Sequence, residues 1–112
     1  ILCNCYPYWE GCPFEYSLSH MQNMYNQAKD AANGKKVLIT ETGWPSQGEE
    51  LKGAMPGMQQ ARDYFINTQL WSANEEIPVF YFSSFDESWK TGAEGTVGAY
   101  WGIWDKQEKL KF

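Results

Sequence analysis

Glu41 is a carboxylate whose position invites chemistry. It closes the apolar run Val37-Leu38-Ile39-Thr40 and is followed at once by Thr42-Gly43-Trp44-Pro45-Ser46. An acid at the end of so apolar a segment must either find polar partners or face a cavity. Glycine permits an abrupt departure from an extended segment and proline stiffens the turn after it, so the indole of Trp44 stays close to the carboxylate. A carboxylate beside an aromatic plane suits a sugar ring, whose C–H faces pack on aromatics while its hydroxyls seek polar groups. The alternative for Glu41 is a structural glutamate, capping a helix or paired with a cation. Tyr6 ends an earlier apolar segment, and a phenol there could hold Glu41 in one rotamer by a hydrogen bond. Tyr8 could stack on a ligand, with core packing the alternative for both tyrosines. Trp44, Phe85, Trp89 and Trp101 are candidate walls for ring stacking, at least one of them ordinary core.

Composition narrows the partners. The 112 residues carry a formal charge of −5, which argues against a nucleic-acid partner, since phosphate binding runs on clustered Lys and Arg. Aromatic residues make up 17% of the chain, with six Trp, seven Tyr and six Phe, many beside Gly, Pro, Asn or Asp, where they can serve as a stacking surface. No stretch approaches the roughly 20 apolar residues that cross a bilayer. The start lacks the basic and cleavage features of a secretory leader and reads as a cut inside a strand. Cys3, Cys5 and Cys12 allow at most one internal disulfide. Their spacing matches no common zinc framework, and the single histidine, His20, falls in a helical stretch, so no metal site is expected.

These residues need elements to position them. Residues 1–6 read as a short buried strand ending at the turn-rich Pro7–Pro13 segment. Leu18, Met21, Met24 or Tyr25, Ala28 and Ala31 recur at helical spacing from Ser17 to Asn33, with Gly34 where a C-terminal cap belongs, and Met21, Met24 and Met58 read as packing residues. Val37–Thr40 is a second buried strand. Pro56 can open a second helix with a stripe of Met58, Ala61, Phe65, Thr68 and Trp71 or Ser72, running to about Ala73. Ile77–Phe82 is a third strand, and residues 98–105 form an aromatic, glycine-rich loop or short strand. Strand, helix, strand, helix, strand predicts an α/β fold of parallel strands with crossover helices. Tyr6, Glu41, Asp86 and Glu87 then share the rim at the strands' C-terminal ends, the functional edge of such sheets.

Val37–Ser46 resembles the nucleophile segment of glycoside hydrolase family 17, the β-1,3-glucanase and transglycosylase family. Asn4-Cys5-Tyr6-Pro7-Tyr8 is similar to that family's Asn-x-Tyr-Pro-Tyr strand end. Phe85-Asp86-Glu87-Ser88-Trp89-Lys90, with Glu94-Gly95 and Gly98-x-x-Trp101-Gly102, resembles its last strand and closing loop. The motifs follow the family's order and span essentially all 112 residues.

The resemblance implies a single partial domain, residues 1–112, comprising strands six to eight of a (β/α)8 TIM barrel of about 250 residues. It implies Glu41 as the nucleophile of a retaining mechanism, in which a second carboxyl about 5–5.5 Å away protonates the leaving oxygen and then activates water. No residue of this chain matches the family's acid/base position. Glu87, Lys90 and Glu94 match a supporting cluster, with a surface ion pair the alternative. Lys90 would hold its neighbours ionised, which suits electrostatic work better than proton donation. Asn4, Tyr8, Trp44, Phe85, Trp89 and Trp101 become the substrate-binding candidates. The implied ligand is β-glucan, no cofactor is needed, and an extracellular or cell-envelope location follows from the polymer. Exposed sheet edges and apolar faces would require the missing N-terminal half-barrel or a second copy. The competing expectation is a glucan-binding half-barrel that lacks its general acid/base.

Overall fold

The computed structural model describes all residues, Ile1–Phe112. Strand β1 (Leu2–Asn4) leads through a 3-10 turn at Phe14–Tyr16 into helix α1 (Ser17–Ala31). Strand β2 (Leu38–Thr42), helix α2 (Met58–Glu75) and strand β3 (Val79–Tyr81) come next, and a second 3-10 turn covers Gly95–Val97. The sheet order is β1-β2-β3 and both pairings are parallel. Parallel neighbours need a crossover, and each helix supplies one. The strands are shorter than the apolar runs suggest, yet pairing continues past their ends: Cys5 N–H reaches Glu41 O at 2.8 Å and Phe82 N–H reaches Thr42 O at 2.8 Å. No helix is long and apolar enough to cross a membrane.

Helix α1 stops two residues before the expected Asn33. Asn33 and Gly34 take successive left-handed conformations, φ 53° and 86°, which release the chain toward β2. Helix α2 corrects the expectation in two ways. Pro56 lies outside it, and Gly57 stands before its first residue, with Gly57 O accepting from Ala61 N–H at 2.9 Å. The buried stripe is Ala61, Tyr64, Thr68 and Ser72, while Met58 is exposed and Phe65 half-buried. Hydrophobicity favours Phe65 over Tyr64; the structure buries Tyr64 because its hydroxyl meets Thr42 Oγ1 at 2.7 Å.

Apolar residues gather in two clusters. The first, beneath the sheet, joins Cys5, Met21, Tyr25, Ala32, Val37 and Ile39. The second sits at the strands' C-terminal ends and joins Tyr8, Trp44, Ala54, Tyr64, Val97 and Trp101. Met21 and Met24 pack as expected, whereas Met58 does not. The sheet is uncovered elsewhere: Leu2 is 67% and Phe80 65% exposed. The three cysteines are free, and the sulfurs of Cys3 and Cys5 lie 3.9 Å apart.

Candidate active site

A break in strand regularity aims Glu41. Ile39 and Thr42 are three residues apart, so strict alternation would send them to opposite faces. Both are fully buried on the helical side, Ile39 against Met21 and Tyr25, and Thr42 against Tyr64. The pairing register slips between Ile39 and Thr42 on one neighbour and between Cys3 and Asn4 on the other. Such irregularities re-aim side chains. Thr40 Oγ1 and Glu41 are thereby free to reach β1 and the residues after it: Thr40 Oγ1 donates to Asn4 Oδ1 at 2.7 Å, and Tyr6 OH donates to Glu41 Oε2 at 2.6 Å.

The Tyr6–Glu41 bond is short, as expected when a hydroxyl donates to a carboxylate. Burial pushes the Tyr6 phenol well above its ordinary range, reinforced by the bond to Glu41 and by the negative charges of Glu41 and Glu94. Tyr6 therefore stays protonated and remains a donor. Its ring is held edge-on by Trp101 at 5.5 Å and Phe82 at 6.1 Å. One Glu41 oxygen is held by the phenol, leaving Oε1 outside that bond.

The loop after β3 brings the second group of charges. Lys90 Nζ pairs with Glu87 Oε1 at 3.1 Å and lies 4.8 Å from the centre of the Phe82 ring and 5.2 Å from that of Trp89. The Glu94 carboxylate, on the same loop, has its Oε2 buried with no hydrogen-bond partner. A buried, unpaired carboxylate oxygen is costly, so this atom has unused capacity to accept.

The aromatic candidates divide. Trp44 is 1% exposed, with its indole N–H donating to Met55 O at 3.0 Å, and Tyr8 is buried with its hydroxyl on Glu49 O at 2.8 Å. Neither presents an open ring face, so both act here as packing beneath the rim. Trp101 is also buried, between Tyr6, Tyr8 and Phe82. Trp89, at 75%, and Phe85 expose their rings, and Asn4 is exposed beside Thr40. Trp9, not singled out by its sequence context, is exposed and stacks on Trp101 with ring centres 5.8 Å apart. Its place in the turn-rich run Pro7–Pro13 gave no signal, since its neighbour Tyr8 in the same run is buried. A cavity of about 520 Å3 lies at the opposite ends of the strands between Lys36, Trp71 and Glu76.

The parallel α/β sheet thus gathers a phenol-held carboxylate and exposed aromatics at its C-terminal rim. The family profile of the BtgE/BtgC glycoside hydrolase domain matches residues 1–102, and the chain belongs to that family. The family 17 resemblance is borne out by its relatives. A glucan 1,3-beta-glucosidase of Saccharomyces cerevisiae is 25% identical over the whole chain, which covers 38% of that relative. One from Schizosaccharomyces pombe is 28% identical over the whole chain, covering 36% of it. The family 17 beta-1,3-glucanosyltransferase of Rhizomucor miehei superposes with a TM-score of 0.90 at 29% identity, over 97% of this chain and 40% of that one. The chain thus matches a fragment of the family's barrel fold, about two-fifths of the length of such relatives.

Proposed function

We propose that this chain is the nucleophile-bearing part of a retaining glycosidase or transglycosylase acting on β-1,3-glucan, built from strands six to eight of the barrel. The observation that carries the reading is the 2.6 Å bond from Tyr6 to Glu41 at the rim. Glu41 attacks the anomeric carbon and displaces the leaving oxygen, and the glycosyl ester is then released to water or to a sugar hydroxyl. The acid/base comes from outside these 112 residues. Glu87, Lys90 and Glu94 shape the field at the rim, the buried oxygen of Glu94 accepting from a sugar hydroxyl. Trp89, Phe85 and Trp9 offer ring faces, with Asn4 at the edge, while Trp44, Tyr8 and Trp101 brace them from below. The bare face around Leu2 and Phe80 and the outer edges of β1 and β3 are covered by further strands of the barrel or by a second copy. The substrate polymer places the protein outside the cell or in its envelope.

A second reading, glucan binding without turnover, is favoured by the engagement of Glu87 with Lys90, which removes it as a stand-in proton donor. A 2-deoxy-2-fluoro β-glucoside with a dinitrophenolate leaving group needs little acid assistance and separates the two. Mass spectrometry is expected to show one glycosyl adduct on Glu41, absent in Glu41→Gln. Binding of laminari-oligosaccharides without an adduct supports the second reading; absence of both from folded protein sinks the glucan assignment altogether.

A further inference from the structure

Asp86 opens the charged segment after β3, yet it does not face the rim. Its side chain is 9% exposed and its Oδ1 accepts from Lys111 Nζ at 2.6 Å and from the Gly102 amide at 2.9 Å. Lys111 is buried as well, at 5%, and its ammonium makes a second bond, to Ser46 Oγ at 2.9 Å. Ser46 is the last residue of the segment that carries Glu41, and its own amide donates to Tyr100 O at 2.9 Å. Segment 104–112 delivers the lysine by folding back on itself: Asp105 N–H bonds Lys109 O at 2.8 Å and Lys111 N–H bonds Ile103 O at 3.1 Å.

One cation therefore adds a buried side-chain tie between two loops that also meet through Ser46 N–H on Tyr100 O and Glu49 N–H on Thr96 Oγ1. A buried ion pair is a poor device for stability alone, because apolar side chains of similar size often serve as well. An ammonium can do what an apolar contact cannot, which is to fix direction at two acceptors at once. We propose that Lys111 is a positioning residue, a latch that sets the loop after β2, bearing the Glu41 segment, against the loop after β3, bearing Glu87, Lys90 and Glu94. Its consequence for sugar binding rests on the function proposed above; the latch itself does not.

The test uses the full 112-residue chain. Lys111→Met strands a buried carboxylate, so the informative variant is Lys111→Met with Asp86→Asn, which removes both charges. Ser46→Ala cuts one arm of the latch without stranding a charge. Thermal melting is expected to recover from the single to the double variant. Amide hydrogen exchange in residues 46–50 and 86–98 is nonetheless expected to quicken by about 10-fold or more in the double variant, the size set by losing bonds to a charged group. Laminaritetraose affinity, measured by calorimetry, should weaken alongside. Wild-type exchange in both loops of a folded double or Ser46→Ala variant overturns the latch. Faster exchange with unchanged sugar affinity overturns the positioning role. If wild-type protein binds no sugar, the proposed function fails, and exchange alone decides whether Lys111 latches the loops.

Discussion

The two halves of the rim are held by different means. Glu41 and Tyr6 are positioned by backbone: they sit at the ends of paired strands, and Cys5 N–H bonds the carbonyl of Glu41 itself. Glu87, Lys90 and Glu94 lie outside the sheet, on a loop beyond β3 anchored at its base by Asp86 N–H on Trp104 O at 2.9 Å and Trp104 N–H on Ser84 O at 2.8 Å, and by the buried Lys111 to Asp86 pair. A ladder of backbone hydrogen bonds fixes a side chain's root in register, whereas a loop takes whatever position its contacts impose. Glu41 is thus set by the sheet, and the charges around it by a loop outside the sheet.

The largest break in this contrast is expected at Gly43, where the chain leaves β2. A Cβ there would fall on the carbonyl oxygen of Phe82, backbone that cannot swing aside. Gly43→Ala should cost about 3 kcal/mol or more by denaturant unfolding, since overpacking against backbone leaves no relaxation. An unchanged midpoint would mean that β2 and β3 are less tightly joined than the structure shows. Tyr6→Phe is a smaller and more local change. It keeps the ring between Trp101 and Phe82 but removes a bond to a charged group, worth about 1.5–3 kcal/mol. Glycosyl-adduct formation from the activated substrate should slow by roughly 10- to 100-fold, and the melting temperature should fall by several degrees, about what the lost bond is worth. Equal rates would show that backbone alone aims Glu41.

Alkali sharpens the comparison most gently. Burial pushes the Cys5 thiol up to about 12 and raises the phenols of Tyr6, Tyr64 and Tyr81, all on or packed against the strand side. These groups hold their protons in the folded chain and release them earlier when unfolded, from ordinary values of 9.0 and 10.0. Their stabilisation is complete below about pH 9 and fades as pH rises through the folded values. Circular dichroism melting should be flat from neutral pH to about 9 and decline above it. A decline that begins near neutrality would place the sensitive groups elsewhere.

Much of this was legible in the chain itself. The run Val37–Glu41 followed by Gly43 and Pro45 announces a buried strand with an acid at its end, because burial and turn chemistry are written in residue type. The order of strands and helices follows from periodicity, and the pairing of Tyr6 with Glu41 follows from two such ends lying side by side. Less legible was the phase of α2, since a buried tyrosine depends on a hydroxyl partner 22 residues away. The aromatic rim was read as a set of ring faces, yet Trp44 and Tyr8 are interior. Residue type gives an aromatic's appetite for burial but not which neighbours compete for its face.

The sequence by itself determined the parallel α/β framework, the family and the location of Glu41 at a strand end, because each rests on local pattern over a few residues. Only the tertiary structure decided which aromatics face solvent, that Glu94 keeps a buried oxygen free, and that Lys111 crosses the fold to bind Asp86 and Ser46. Those outcomes join residues as far as 65 positions apart, where contact depends on how whole elements pack.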